Sequence, residues 1–209
     1  MKSRVSNPDR ILKAGRQLFN SQGYAATSLS DIAKEVGISK GNLSYHFPTK
    51  LDLAIRLREA SRAQSRERRA TLQQDDIADD YVEHLLFAMG MAWNNRFILR
   101  EDVGFPETWE ERVSEFTADY EELQHLIVRI DEAGMFRQNC IDDLQVLVRS
   151  IWIVSRYWMD YLREFEGQSE IDWSDQARGV KQHFAVLLPC LTASARRKFE
   201  AALAHAQDA

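Results

Sequence analysis

The residues best suited to chemistry lie in one short run, Lys40-Gly41-Asn42-Leu43-Ser44-Tyr45-His46, with Lys50 four positions further on. None of them is set out for making or breaking bonds. Lys40 brings positive charge to a helix start, where free backbone amides also point, so it suits a phosphate or a base edge. Tyr45, His46 and Lys50 are donors for phosphate oxygens, contacts that set register without reading sequence. Gly41 is costly inside a free helix and makes sense where a backbone must approach another molecule closely. The chemistry implied is recognition of nucleic acid.

Such side chains need a rigid mount, and the preceding residues supply one. Ser28-Leu29-Ser30-Asp31 has the form of a capping box and opens a short helix through Ile32, Ala33 and Val36, which Gly37 ends with a left-handed turn. Ser39 caps a third helix over Lys40 to His46. Two helices joined by a short glycine-containing turn present the second to a DNA major groove, with Ile32, Ala33, Ile38, Leu43 and Phe47 packing the angle between them. Asn7-Pro8 starts the first helix, whose Ile11, Leu12, Ala14, Gly15, Leu18 and Phe19 share a face, and Gly23 stops it. Thr49-Lys50-Leu51-Asp52 repeats the capping box and begins a long fourth helix with Arg58, Arg62, Arg66 and Arg69 on a basic face.

The charge distribution agrees with that division of labour. The 209 residues carry a net charge of −5, but residues 1–70 hold 14 Lys+Arg against 6 Asp+Glu, and the remainder 13 against 26. A basic amino-terminal part on an acidic body favours counterion release at phosphates and keeps the body off the duplex. No period-2 alternation marks a strand, so the expected class is all-α: a three-helix helix-turn-helix domain at 1–50, a connecting helix at 51–72 and a larger helical domain at 73–209. Further helices are expected over 77–96, 107–134, 142–166, 174–190 and 193–206.

Three segments carry a family resemblance. Arg10-x-x-Ile-Leu-x-Ala-x-x-Leu-Phe, Gly23-Tyr24-x-x-Thr27-Ser28-x-x-Asp31-Ile32-Ala33 and Ser39-Lys40-Gly41-Asn42-Leu43-Ser44-Tyr45-His46-Phe47-x-x-Lys50 resemble the amino-terminal signature of TetR-type transcriptional regulators. The likeness covers about residues 7–56; the rest of the chain is similar only in length and helical character. It implies an operator-binding homodimer, commonly a repressor released from an inverted-repeat operator by a small molecule. It places Thr27, Lys40, Gly41, Asn42, Ser44, Tyr45, His46 and Lys50 where family members touch DNA. Ser44 departs from the aromatic residue common before Tyr45, which puts one phosphate or thymine-methyl contact in doubt. Thr27 has a second reading, as a support for the helix start.

In the acidic part, aromatic residues crowd the centre. Trp93, Phe97, Trp109, Phe116, Trp152 and Trp158, with His125 and Arg156 as polar anchors, are the expected wall of a ligand pocket; the same spacing also suits plain core. Leu147, Ile151 and Val154, and Val180, Phe184 and Leu187, recur at helical steps on two long segments that resemble the family's dimer-forming pair. The alternative is that both faces are consumed within one subunit.

Enzymatic readings find no footing: H-E-x-x-H, G-x-x-x-x-G-K and a dinucleotide fingerprint are absent, and Gly37-Ile38-Ser39-Lys40-Gly41, which has the G-x-S-x-G spacing, lies between two helices and is not the strand-to-helix elbow that chemistry needs. Cys140 and Cys190 are distant in sequence and form no C-x-x-C, so neither a disulfide framework nor a zinc ribbon is expected, and no metal or cofactor. Lys2 and Arg4 are followed by no apolar region, and no stretch approaches the ~18 uncharged residues of a membrane span, so a cytoplasmic location without a membrane partner is expected. The expected partners are double-stranded operator DNA, a small-molecule effector and a second copy of the chain. The competing reading is a non-specific or architectural DNA-binding protein without an effector.

Overall fold

The computed structural model describes residues 7–71, 76–101, 103–106, 108–168 and 170–208, with the side chains of 69–71, 109, 112, 115–116 and 207–208 outside that description. The regular elements are helices: α1 (Asn7–Gln22), α2 (Leu29–Val36), α3 (Lys40–His46), α4 (Lys50–Thr71), α5 (Ile77–Asn94), α6 (Arg96–Arg100), α7 (Trp109–Glu132), α8 (Leu144–Glu164), α9 (Trp173–Leu187) and α10 (Ala193–Asp208), with a 3-10 turn at Leu188–Cys190. The fold is all-α, as the missing period-2 pattern requires. The one extended pairing among the described residues is an isolated antiparallel bridge between Phe136 and Leu191.

Local sequence sets the helix ends. Ser28 and Asp31 form the expected capping box at α2, and Gly37 (φ 75°, ψ 37°) closes that helix in the left-handed region. Thr108 with Glu111 and Asp172 with Asp175 make the same reciprocal cap on α7 and α9, satisfying amides that a helix start leaves open. One break was not legible. The periodicity predicts a single helix over 77–96, but Asn95 (φ −121°, ψ 26°) interrupts it, and the short α6 follows. Its side-chain amide donates to Ser61 Oγ at 3.2 Å and to Met91 O at 2.9 Å, so a buried asparagine is held by partners that stabilise the break.

The described residues form two units, one within Met1–Ala70 and Met91–Pro106, the other within Thr71–Gly90 and Glu107–Ala209. This grouping differs from boundaries at 50 and 72 for a packing reason: Leu53, Ala54 and Leu57 of α4, and Phe97 and Val103 beyond α5, share a core with Ile11, Phe19, Ile32, Leu43 and Phe47. Phe97 packs its ring 5.2 Å from that of Phe19. Asn20 ties the same region together, donating to Asn94 O and accepting from Phe97 N–H.

The second unit has its own core, drawn from α5 and α7–α10. Tyr81, Leu126, Ile127, Ile130, Val148, Ile151, Leu187 and Phe199 are fully enclosed there. Asp80 and Arg129 pair within it at 2.8 Å, each charge compensating the other. The expected pairing face proves to lie largely inside this core. Leu147, Ile151, Val180, Phe184 and Leu187 are all buried, and only Val154 is half-buried. A helix apolar nearly all round has two candidate faces, and periodicity alone does not say which turns inward. The face of α8 that stays open carries Val146, Ile153, Tyr157 and Tyr161, continued by Phe165 just past its end. Among the described residues no helix is long and apolar enough to cross a membrane.

Candidate nucleic-acid interface

Three caps and one glycine define the mount of α3. Asp31 accepts from the amide and hydroxyl of Ser28, and that hydroxyl, then that amide, hold its carboxyl below the usual range. At the far end of α2, Ile38 N–H reaches back to Ala33 O at 3.0 Å, and Arg10 donates to Val36 O at 2.7 Å. The chain then turns with two carbonyls already satisfied. Ser39 Oγ accepts from Asn42 N–H and starts α3, and Thr49 with Asp52 caps α4 a few residues later.

On that mount α3 buries a single side chain, Leu43, at 0% exposure. Lys40, Gly41, Asn42 and Tyr45 are exposed and Ser44 and His46 half-buried, so six of the eight residues expected at DNA share one short helix with little burial. Tyr45 is 84% exposed, far more than an aromatic residue gains from packing, and its ring meets His46 edge-on at 5.2 Å. A Cβ on Gly41 would meet nothing closer than Ser39 Oγ at 4.0 Å, so nothing inside the chain requires glycine there.

The other two expected contacts are placed differently. Thr27 is 1% exposed, and its hydroxyl donates to Gly23 O at 2.7 Å; its side chain is spent on the turn before α2. Lys50 does not extend freely either. Its Nζ donates to Tyr24 O at 2.6 Å and Ala25 O at 3.3 Å and lies 4.3 Å above the Tyr24 ring.

The same turn is gripped from the other side by a residue that sequence reasoning missed. Glu101, just past α6, accepts from Tyr24 N–H and Ala25 N–H, both at 2.8 Å, a charge-assisted pair on adjacent amides. Gly23 makes the approach possible: it adopts φ 94°, and a Cβ there would fall 2.6 Å from Glu101 Oε1. Lys50 on the carbonyls and Glu101 on the amides therefore fix the loop between α1 and α2. The partners are 76 and 77 residues apart, and an isolated glutamate carries no motif by which they could be found.

The expected pocket residues do not gather in one cluster. Phe97 is enclosed in the first unit's core, and Trp93 lies under the Arg96 guanidinium at 4.0 Å. In the second unit Trp152 meets Tyr120 edge-on, Arg156 stands 5.3 Å from the Tyr157 ring, and Trp158 is buried with its Nε1 donating to Asp175 O at 2.8 Å. His125 is exposed, and the side chains of Trp109 and Phe116 lie outside the described residues. Two buried polar groups in that unit were not anticipated. His183 is enclosed between Tyr81 and Ser155, each 2.7 Å from a ring nitrogen, and burial pushes it down to about 3. Gln176 donates to Met89 O, while its Oε1 is buried without a hydrogen-bond partner.

Residues 11–57 match the family described as bacterial regulatory proteins, tetR family, and residues 62–199 match one described as bacterial transcriptional repressor. The HTH-type transcriptional regulator LmrA of Bacillus subtilis is 52% identical over 40 residues, 19% of this chain and 21% of its own length. The chain thus spans about a fifth of that relative. A TetR-family transcriptional regulator from Marinobacter aquaeolei superposes with a TM-score of 0.72 at 22% identity, covering 94% of this chain and 97% of that one. A regulator from Saccharomonospora viridis in complex with choline gives 0.64 at 19% identity, over 85% and 95%.

Proposed function

The chain belongs to the tetR family of bacterial regulatory proteins, and from that premise we propose that it represses transcription as a homodimer on an inverted-repeat operator, released by a small molecule held in the second unit. The observation that carries this reading is α3 itself. A seven-residue helix that buries only Leu43, and displays Lys40, Asn42, Tyr45 and His46 on a capped support, is organised to be covered by something else. Lys40 and Asn42 are the side chains for base edges, and Tyr45 and His46 those for phosphates. Thr27, Lys50 and Glu101 act one step back, by holding the turn that sets the position of α2.

Dimerisation uses the open face of α8, where Val146, Ile153, Tyr157 and Tyr161 follow at steps of seven, four and four residues. An isologous pairing there buries an apolar stripe that water otherwise covers. For the effector, the anchor is Gln176, whose buried acceptor is unsatisfied, an arrangement that rewards a ligand donor. The Saccharomonospora viridis regulator of similar fold is in complex with choline, a small organic cation. The architectural alternative lacks a reason for the unsatisfied buried amide.

Calorimetry against a metabolite panel, with and without operator DNA, tests the reading. An effector should bind one form more tightly by about 5- to 150-fold, and DNA must shift its affinity by the same factor. Gln176→Met should weaken that effector and leave DNA binding unchanged. A protein that binds operator DNA identically in the presence of every ligand it takes up would contradict the proposal.

A further inference from the structure

Cys140 and Cys190, fifty positions apart in the chain, are neighbours in the fold. The loop after α7 and the junction before α10 are joined by backbone pairing: Arg137 N–H donates to Cys190 O and Thr192 N–H to Met135 O, both at 2.8 Å, around the Phe136–Leu191 bridge. Residues 137–140 then form a tight turn, with Cys140 N–H on Arg137 O at 3.3 Å and Asn139 in the left-handed region at φ 55°. That turn brings residue 140 back beside 137, and so beside 190. The Cys140 sulfur lies 3.8 Å from Pro189 O, the carbonyl that precedes Cys190 in the chain.

Their surroundings are unequal. Arg137 Nη2 donates to Cys140 Sγ at 3.3 Å, placing a cation on the sulfur that must carry negative charge when it attacks. Cys190 instead donates back to Val186 O at 3.7 Å within its own turn, and burial raises its thiol. Both are partly accessible to solvent. We propose that Cys140 and Cys190 form an oxidisable dithiol in which Cys140 attacks a hydroperoxide and Cys190 closes an intrachain disulfide.

The chemistry balances with the hydroperoxide as oxidant. The Cys140 thiolate attacks one peroxide oxygen, an S–O bond forms as O–O breaks, and the leaving oxygen takes a proton, giving a sulfenic acid and water or an alcohol. The Cys190 sulfur then attacks the Cys140 sulfur; S–S forms as S–O breaks, and hydroxide leaves with the Cys190 proton as water. The two sulfurs lose two electrons and the peroxide gains them. The product ties the loop between α7 and α8 to the turn between α9 and α10, and a thiol reductant restores the starting state.

Intact-mass and peptide analysis of the full chain after treatment with equimolar hydrogen peroxide tests this. The expected result is a loss of about 2 Da per chain, both thiols consumed, and one peptide linking 140 to 190. Cys190→Ser should stop at a dimedone-reactive sulfenic acid on Cys140, and Arg137→Gln should slow its formation. Cys140→Ser should prevent the linkage. Phenylarsine oxide, which bridges paired thiols, requires no variant: the reduced wild-type chain should bind one equivalent and lose both free thiols. Links only between chains, independent oxygen additions to each cysteine, or no uptake of the arsenical would overturn the proposal.

Discussion

Two solvent-facing helical surfaces of this protein differ in how they came to be open. The surface of α3 is polar and short, and it is exposed because every local device around it, from Ser28 to Asp52, is spent on holding the backbone. The open face of α8 is apolar and long, and it is exposed because the opposite side of the same helix already fills a core through Leu147, Val148, Ile151, Met159 and Leu162. The first is defined by caps and turns, the second by what packing leaves over. A recognition surface of the first kind can be read along the chain; one of the second kind requires knowing which side of a helix turned inward.

The largest effect should separate the two sides of α8. Ile151 is fully enclosed, and Ile151→Asp places an unpaired charge in the core, at a cost on the order of 5 kcal/mol, a large fraction of the roughly 5–15 kcal/mol that holds a domain folded. Ile153 is 51% exposed, and Ile153→Asp should leave the helical circular dichroism intact while sedimentation shows a monomer. Equal loss of fold in both variants would erase the distinction between the two faces.

A smaller effect comes from His183. Burial depresses it from an ordinary value near 6.5 to about 3, so below pH 6.5 the unfolded chain takes up a proton that the folded chain refuses. Its contribution to stability is complete above pH 6.5 and is lost as pH falls toward 3, by about 1.4 kcal/mol per unit. Urea titrations across that range should show this slope, and His183→Gln should flatten it. A curve unchanged in His183→Gln would mean that the Tyr81–His183–Ser155 chain is not closed in solution.

The smallest effect on stability belongs to α3. Tyr45→Ala removes an 84% exposed ring and should alter unfolding by no more than about 0.5 kcal/mol. The same change should weaken operator binding about tenfold, the worth of one hydrogen bond to a charged phosphate. Stability loss beyond that margin would mean that the tyrosine packs rather than waits.

These contrasts explain what was legible in the amino-acid sequence. The capping boxes at Ser28 and Thr49, the left-handed Gly37 and the all-helical class follow from residue types at fixed short spacing, and each stands where the spacing puts it. Thr27 reads from the sequence as two alternatives, and in the fold its hydroxyl donates to Gly23 O. Long-range partners left no local trace. Glu101 on the 24–25 amides and Cys140 beside Cys190 depend on segments that meet only after folding. Phe184, 3% exposed, reads from the sequence as an interface candidate because an apolar position looks alike whether it packs against its own chain or another.

The central claim is that α3 is a sequence-reading surface presented twice. Selection and sequencing of fragments retained by the full-length protein from a random DNA pool tests it most directly. The expected result is enrichment of one inverted repeat with half-sites about 34–36 Å apart or a multiple of that, altered in base preference by Lys40→Ala or Asn42→Ala. Uniform retention of all sequences, or an enriched site unchanged in both variants, would contradict it.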